Sequence, residues 1–168
     1  MAAVEADGGQ GTGVTVEPLP PERLQEARTL LLDLLMAEQD HFDHPRQSRA
    51  DLDRGLPPAT PSFVGENHVL VGRAGGRIVG ICWCVLHDPG TGLEAEIAEL
   101  YVVPDCRRRG VAGGLVGEAI RLFETRGVTF ACVWTRPDNR PALHLYETHG
   151  FGPTVQAVLT WYPKEARA

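Results

Sequence analysis

The stretch Val102-Val103-Pro104-Asp105-Cys106-Arg107-Arg108-Arg109-Gly110-Val111-Ala112-Gly113-Gly114-Leu115 decides how the rest of the chain reads. An apolar run ends at Pro104, three arginines and a glycine follow, and an apolar-periodic segment then opens. That order predicts a strand, a tight loop and a helix. The first N–H groups of a helix have no partner within it, and the macrodipole adds partial positive charge there. Such a join binds an anion without a dedicated side chain. Gly110 lets the backbone turn with no Cβ in the way. Ala112, Gly113 and Gly114 keep the first turn small, so a ligand can approach the amides. Glycine inside a helix costs roughly 0.8–1 kcal/mol against alanine. Gly113, Gly114 and Gly117 therefore imply close approach of a ligand or of a sheet. The spacing matches neither G-x-x-x-x-G-K-S/T nor a G-x-G-x-x-G opening a βαβ unit, which excludes two common phosphate loops.

Working outward, Val111–Arg126 is helical, with Val111, Leu115, Ala119, Leu122 and Phe123 on one stripe and Gly127 as its stop. Leu93–Val103 reads as the strand before the loop. Upstream, His68–Val71 and Arg77–Leu86 are strand-like and joined at Arg73-Ala74-Gly75-Gly76, a hairpin turn. Val14–Glu17 fits a short first strand, Glu22–Phe42 a long helix and Ser48–Arg54 a second short one. Downstream, Val128–Thr135 is a strand, Pro141–Thr148 a short helix stopped by Gly150, and Val155–Trp161 a closing strand. A helix pair, an antiparallel meander and then β-α-β-α-β describe a mixed α/β sandwich around a largely antiparallel sheet. Residues 1–13 read as a disordered tail and 14–168 as a single domain.

Composition narrows the function classes. The net charge of −6 speaks against a general nucleic-acid binder. No run reaches the ~18 apolar residues of a membrane span. Glu5 and Asp7 stand where a signal peptide would be basic, so none is expected. The four cysteines have neither zinc spacing nor a C-x-x-C pair; reduced thiols in a cytoplasmic protein, with no metal, are the expectation.

Arg107-Arg108-Arg109-Gly110-Val111-Ala112 resembles the Q/R-x-x-G-x-G/A signature of the GCN5-related N-acetyltransferases. Leu100-Tyr101-Val102-Val103-Pro104 resembles that family's central strand. Asn139-Arg140-Pro141-Ala142-Leu143-His144-Leu145-Tyr146-Glu147-Thr148-His149-Gly150-Phe151 resembles its second block, N-x-x-A/S-x-x-x-Y-x-x-x-G-F. Order and spacing both fit.

The resemblance implies a splayed central strand and acetyl-coenzyme A as co-substrate. Amides of Arg108, Arg109, Gly110, Val111, Ala112 and Gly113 would cradle its pyrophosphate, with Arg107 adding a side-chain contact. The backbone of Leu100, Tyr101 and Val102 would pair with the pantetheine arm, as an unpaired strand edge pairs with any extended amide chain. Asn139 would hydrogen-bond the pantetheine or adenosine side.

Acetyl transfer to an amine needs a neutral nucleophile, and an amine near pKa 10.4 must first lose a proton, at roughly 4–5 kcal/mol at pH 7. Glu99 is the favoured base, with Glu96 as its alternative. Their odd separation places them on opposite faces unless a bulge intervenes. Tyr146 matches the family's tyrosine and is the candidate acid for the departing thiolate. His41, Asp43 and His44 end the first helix, where the family often walls its acceptor pocket. Trp83, Trp134 and Trp161 read as core or pocket wall.

The expected function is N-acetyl transfer to an amine of a small molecule or of a peptide or protein. A second class stays open, a non-catalytic acyl-coenzyme A sensor or regulatory module. A homodimer through the C-terminal strand is a further expectation by analogy.

Overall fold

The computed structural model describes residues 13–39, 46–55, 64–90 and 92–154. The elements are β1 (Val14–Leu19), a 3₁₀ helix (Pro21–Ala27), α1 (Arg28–Glu38), α2 (Arg49–Gly55), β2 (Glu66–Ala74) and β3 (Arg77–His87). After these come β4 (Glu94–Val102), α3 (Val111–Arg126), β5 (Phe130–Val133) and α4 (Arg140–Thr148). The strands form one sheet in the order β1-β2-β3-β4-β5. The first three pairings are antiparallel and β4 runs parallel to β5. This is the mixed, largely antiparallel architecture that the sequence implies. The expected strand Val155–Trp161 and the residues His41, Asp43 and His44 lie outside the described residues, as does most of the expected tail.

The long first helix divides in two. Pro21–Ala27 is 3₁₀ and only Arg28–Glu38 is α-helical. The physical reason lies in Leu24 and Ala27, both fully buried. Their i, i+3 spacing is the one that a 3₁₀ helix stacks on a single face.

Gly75 and Gly76 alone make the β2–β3 turn, with φ of 55° and 78°, so Arg73 and Ala74 belong to β2. Two successive positive φ values fit the primed turns whose twist suits a hairpin. β5 is shorter than Val128–Thr135, because Val128 is held by the preceding helix. Its amide reaches Phe123 O at 2.9 Å past Gly127, whose φ is 70°.

β3 is buried from Ile78 through Leu86, so both faces of the sheet are covered there. On one face lies α3. A Cβ built on Gly80 would meet Leu115 and Val111 at 3.0 and 3.1 Å, and one on Gly72 would meet Val111 at 3.1 Å. The close approach thus comes from glycines of the sheet. Gly114 has its nearest neighbour, Val16, at an ordinary 3.5 Å, and Gly117 has nothing within 4 Å. Packing against the sheet, offered above for the helix glycines, is therefore not the reason for Gly117. On the opposite face Arg73 bridges Glu17 and Glu26 at 2.6 and 2.7 Å and ties the sheet to the 3₁₀ helix. Trp83, 3% exposed, donates from Nε1 to Asn67 Oδ1 at 2.8 Å on that same face and is a core residue.

Candidate functional site

The loop after β4 turns through Pro104–Cys106, where the Cys106 and Arg107 amides return to Val103 O and Pro104 O at 3.0 and 3.2 Å. Arg108 then takes φ 59°, and Gly110 caps α3 with φ 79° and no side-chain cap. A residue other than glycine at positive φ carries strain, so the loop holds this shape at some cost. The first helix amide to find an acceptor is that of Gly114, on Gly110 O at 2.9 Å. Among the described residues, none of the amides from Arg108 to Gly113 has one. These six consecutive residues form a concave row of donors at the positive end of a 16-residue helix. The side chains of Arg108 and Arg109 are exposed around it.

Arg107 behaves differently. Its Nε donates to Val102 O at 2.9 Å, and its guanidinium lies 5.6 Å from the centre of the Tyr101 ring. The side chain is folded back along the end of β4.

β4 and β5 pair only from Glu94↔Phe130 to Ile97↔Val133. From Ala98 to Val102 the β5-side edge of β4 has no partner strand among the described residues, while its other edge stays on β3. Val103 N donates to Val79 O at 3.0 Å, toward β3. Backbone groups alternate along a strand, so those of Tyr101 also face β3, and those of Leu100 and Val102 face the gap. β4 and β5 are therefore splayed from Ala98 onward, and of the three strand residues named from the sequence Leu100 and Val102 face the gap while Tyr101 faces β3.

A bulge decides the placement of the two glutamates. Trp83 pairs with Glu99 but Cys84 pairs with Ile97, leaving Ala98 as an extra residue on β4. Glu99 therefore lies opposite Trp83, and Glu96 opposite Val85, on one face of the sheet. Ala95 and Ile97, 1% and 2% exposed, point to the α3 side. Glu94, across from His87, joins the same row as Glu96 and Glu99, and His87 Nε2 lies 3.5 Å from its carboxylate. Sequence reading passed over Glu94. The signal was available in the alternation Glu94-Ala95-Glu96-Ile97.

Tyr146 reaches this region from α4. Asn139 starts that helix, its Oδ1 accepting from Ala142 N at 3.3 Å and its backbone O from Leu143 N at 3.0 Å. Beyond the helix the Phe151 amide returns to Tyr146 O at 3.1 Å, and the Phe151 ring meets the Tyr146 ring edge-on, 5.7 Å between centres. Tyr146 is 7% exposed, yet its hydroxyl has no hydrogen-bond partner among the described residues. Burial pushes its phenol well above the ordinary value, and the neighbouring Cys82 and Cys84 thiols and Glu99 push it the same way. Cys82 and Cys84 are buried and reduced, their sulfurs 3.8 Å apart. His149 was not singled out by sequence. Its Nδ1 sits 2.8 Å from Leu145 O, and its ring lies 3.6 Å from where a Gly113 side chain would begin.

The profile of the Acetyltransferase (GNAT) family matches residues 29–151, most of the chain. The chain belongs to the GNAT family. Its match includes the mycothiol acetyltransferase of Brachybacterium faecium, 33% identical over 141 residues, covering 82% of this chain and 42% of that protein. The mycothiol acetyltransferase of Thermobifida fusca is 34% identical over 116 residues, 65% of this chain and 36% of the relative. The chain thus spans less than half the length of these curated relatives. Among solved structures, the aminoglycoside N-acetyltransferase AAC(6')-Iy in complex with CoA superposes with a TM-score of 0.60 at 19% identity. That superposition covers 88% of this chain and 98% of the other. An aminoglycoside acetyltransferase from an uncultured soil metagenomic sample, in complex with trehalose, gives a TM-score of 0.64 at 16% identity over 90% and 96% of the two chains. At these identities the likeness is one of fold, and it is the GNAT fold expected from the two sequence blocks.

No helix among the described residues is long and apolar enough to cross a membrane. The described residues hold no cluster of three or more His, Cys, Asp and Glu side chains fit for a metal ion.

Proposed function

We propose that this chain is an acetyl-coenzyme A-dependent N-acetyltransferase acting in the gap between β4 and β5. The observation that carries the reading is the conjunction at that gap. Among the described residues, six unpaired amides lie at one end, a strand edge with no partner strand runs along it, and the Tyr146 hydroxyl, without a partner, faces the same region. A pyrophosphate suits the first, an extended amide arm the second, and a reacting sulfur the third. The amides of Arg108 to Gly113 hold the pyrophosphate, and Leu100 and Val102 pair with the arm. Arg107 contributes by keeping the end of β4 in place. Asn139 spends its side-chain oxygen on the α4 cap, which leaves its amide nitrogen for the cofactor.

In the reaction the amine nitrogen attacks the thioester carbonyl carbon. A C–N bond forms, the C–S bond breaks, and the amine proton passes through water to a carboxylate. Glu99 is the favoured base, one residue from Leu100, with Glu96 behind it on the same face. Tyr146, protonated at the outset, gives its proton to the leaving sulfur, and water restores the phenol afterwards. A buried thiolate is itself made more basic than its solution form, which offsets the raised phenol. The acceptor is an amine of a small molecule.

The test is release of free coenzyme A from acetyl-coenzyme A with a panel of amines, in wild type and Tyr146→Phe. Turnover that collapses in the variant supports the enzyme. Tight coenzyme A binding with no turnover on any amine would instead assign the chain as a sensor of acyl-coenzyme A.

A further inference from the structure

His149 takes no step in the transfer reaction, yet it stands beside the row of amides that opens α3. It caps the C-terminus of α4, where its backbone amide returns to Tyr146 O and Glu147 O. The side chain is tied as well. Nδ1 lies 2.8 Å from Leu145 O, with the Thr148 hydroxyl further off at 3.4 Å. The opposite edge of this half-buried ring faces the first turn of α3. A Cβ built on Gly113 would meet Cε1 at 3.6 Å and Nε2 at 3.8 Å. Gly113 supplies the last of the six amides that have no acceptor among the described residues.

A carbonyl oxygen only accepts, so the contact with Leu145 O places the hydrogen of a neutral ring on Nδ1. Nε2 then holds a lone pair, and it gains a hydrogen only when the ring is charged. Both contacts of the ring run through Nδ1, which leaves Nε2 without a hydrogen-bond or ion-pair partner among the described residues. Of the charged groups on the neighbouring elements, Arg108 and Arg109 precede α3, and His144 and Glu147 lie on α4. None of them bonds the ring, and Glu118, further along α3, is spent on Arg121.

We propose that His149 is a cofactor-binding residue that takes up a proton as the pyrophosphate docks. The charged ring donates from Nε2 toward the phosphate oxygens at the Gly113 amide, while Nδ1 keeps its bond to Leu145 O. A hydrogen bond between charged partners is roughly twice as strong as a neutral one. An uncharged ring offers those oxygens only a lone pair. The anion therefore holds the proton on the ring, so binding is tightest at the acid end and weakens as pH rises through the histidine range. Backbone amides alone cannot give that response, because they do not titrate. The assignment rests on the amide row being the pyrophosphate site.

Calorimetric titration of the full chain with dephospho-coenzyme A tests it. That ligand keeps the pyrophosphate and lacks the 3′-phosphate, which would titrate in the same range. From about pH 5.5 to about pH 8 the wild-type Kd is expected to rise about fivefold. The binding heat should also vary with the ionisation enthalpy of the buffer, as proton uptake requires. His149→Asn keeps a donor near the Nδ1 position for Leu145 O and has no Nε2. It is expected to bind as wild type does at the alkaline end and to lose the pH response. His149→Gln, also uncharged, and His149→Lys, charged throughout, should be equally indifferent to pH. A wild-type Kd that does not change with pH overturns the inference and leaves the pyrophosphate site standing. So does a pH response that survives in His149→Asn, which would make the histidine a helix cap and nothing more. No binding at any pH overturns the pyrophosphate site, and the inference with it.

Discussion

The Arg107 guanidinium lies 5.6 Å from the centre of the Tyr101 ring while its Nε holds Val102 O at 2.9 Å. One side chain thus closes over the last turn of β4 from the loop that follows. Arg107→Ala removes both contacts and is expected to cost about 1 kcal/mol, since the side chain is exposed. Arg107→Lys recovers little, because an ammonium has no planar face to lay on the ring. Thermal denaturation of the two variants checks this. A lysine variant as stable as wild type contradicts it.

For Tyr146→Phe the fold should be indifferent and the chemistry should not. The hydroxyl has no partner among the described residues, so its loss leaves none of their groups unsatisfied. A loss of about a hundredfold in kcat, with KM little changed, is expected. The raised phenol also sets a sign. The acid form is the one that burial favours, so it persists above the ordinary tyrosine range, near pH 10. Wild-type activity should therefore show no alkaline fall attributable to Tyr146 below pH 10. A fall near pH 8 that vanishes in Tyr146→Phe would reverse the assignment.

Two glycines of the same helix should respond with opposite signs. Gly117 sits in the body of α3 with nothing within 4 Å of a new side chain, so Gly117→Ala is expected to stabilise by about 0.5–1 kcal/mol. Gly110 has φ 79°, and alanine there is strained by about 1–2 kcal/mol while crowding the row of amides. Chemical denaturation gives both stabilities, and coenzyme A titration should show weakened binding only for Gly110→Ala. A destabilised Gly117→Ala would mean that this position has a duty the packing does not reveal.

Glu66 makes the acid limb of stability. Arg126 first, and then His68, lower its carboxyl from 4.5 to about 2. The folded form holds the charged state more firmly than the unfolded chain does. Its contribution is therefore complete above about pH 4.5 and is lost as pH falls toward 2. Glu66→Gln should flatten the dependence of Tm on pH over that window and leave the neutral range almost level. Glu26, also lowered to about 2 through Arg23 and then Arg73, keeps some acid sensitivity in the variant. An unchanged slope in Glu66→Gln would remove Glu66 as its source.

What was legible in the sequence was what neighbouring residues decide among themselves. The α3 limits, Val111 to Arg126 with Gly127 as stop, follow from periodicity and a C-terminal glycine, and they match residue for residue. The end of α4 at Thr148 and the turn at Gly75-Gly76 are equally local, whereas the cap that Asn139 makes at its start was not read. The arrangement of Glu96 and Glu99 was not legible, because face depends on what the strand pairs with. Ala98 is an ordinary strand residue until Trp83 and Cys84 leave it without a partner. Its only trace is the apolar pair Ile97-Ala98, which interrupts an otherwise alternating run. The Arg107 side chain was unreadable for a similar reason. Three successive arginines look alike, and only the fold brings one of them onto Tyr101.

Leu93 and Thr129 join β4 and β5 at one end of the gap. Thr129 donates to Leu93 O from its amide at 2.8 Å and from its hydroxyl at 3.1 Å, which pins the β4 and β5 starts together. The strands then run side by side for four residue pairs and part. The two strands thus diverge from an end that is joined at Leu93. A small rotation at the pinned end sweeps a larger arc at Val102, so side-chain changes around Thr129 should be felt more at the far opening than where they are made.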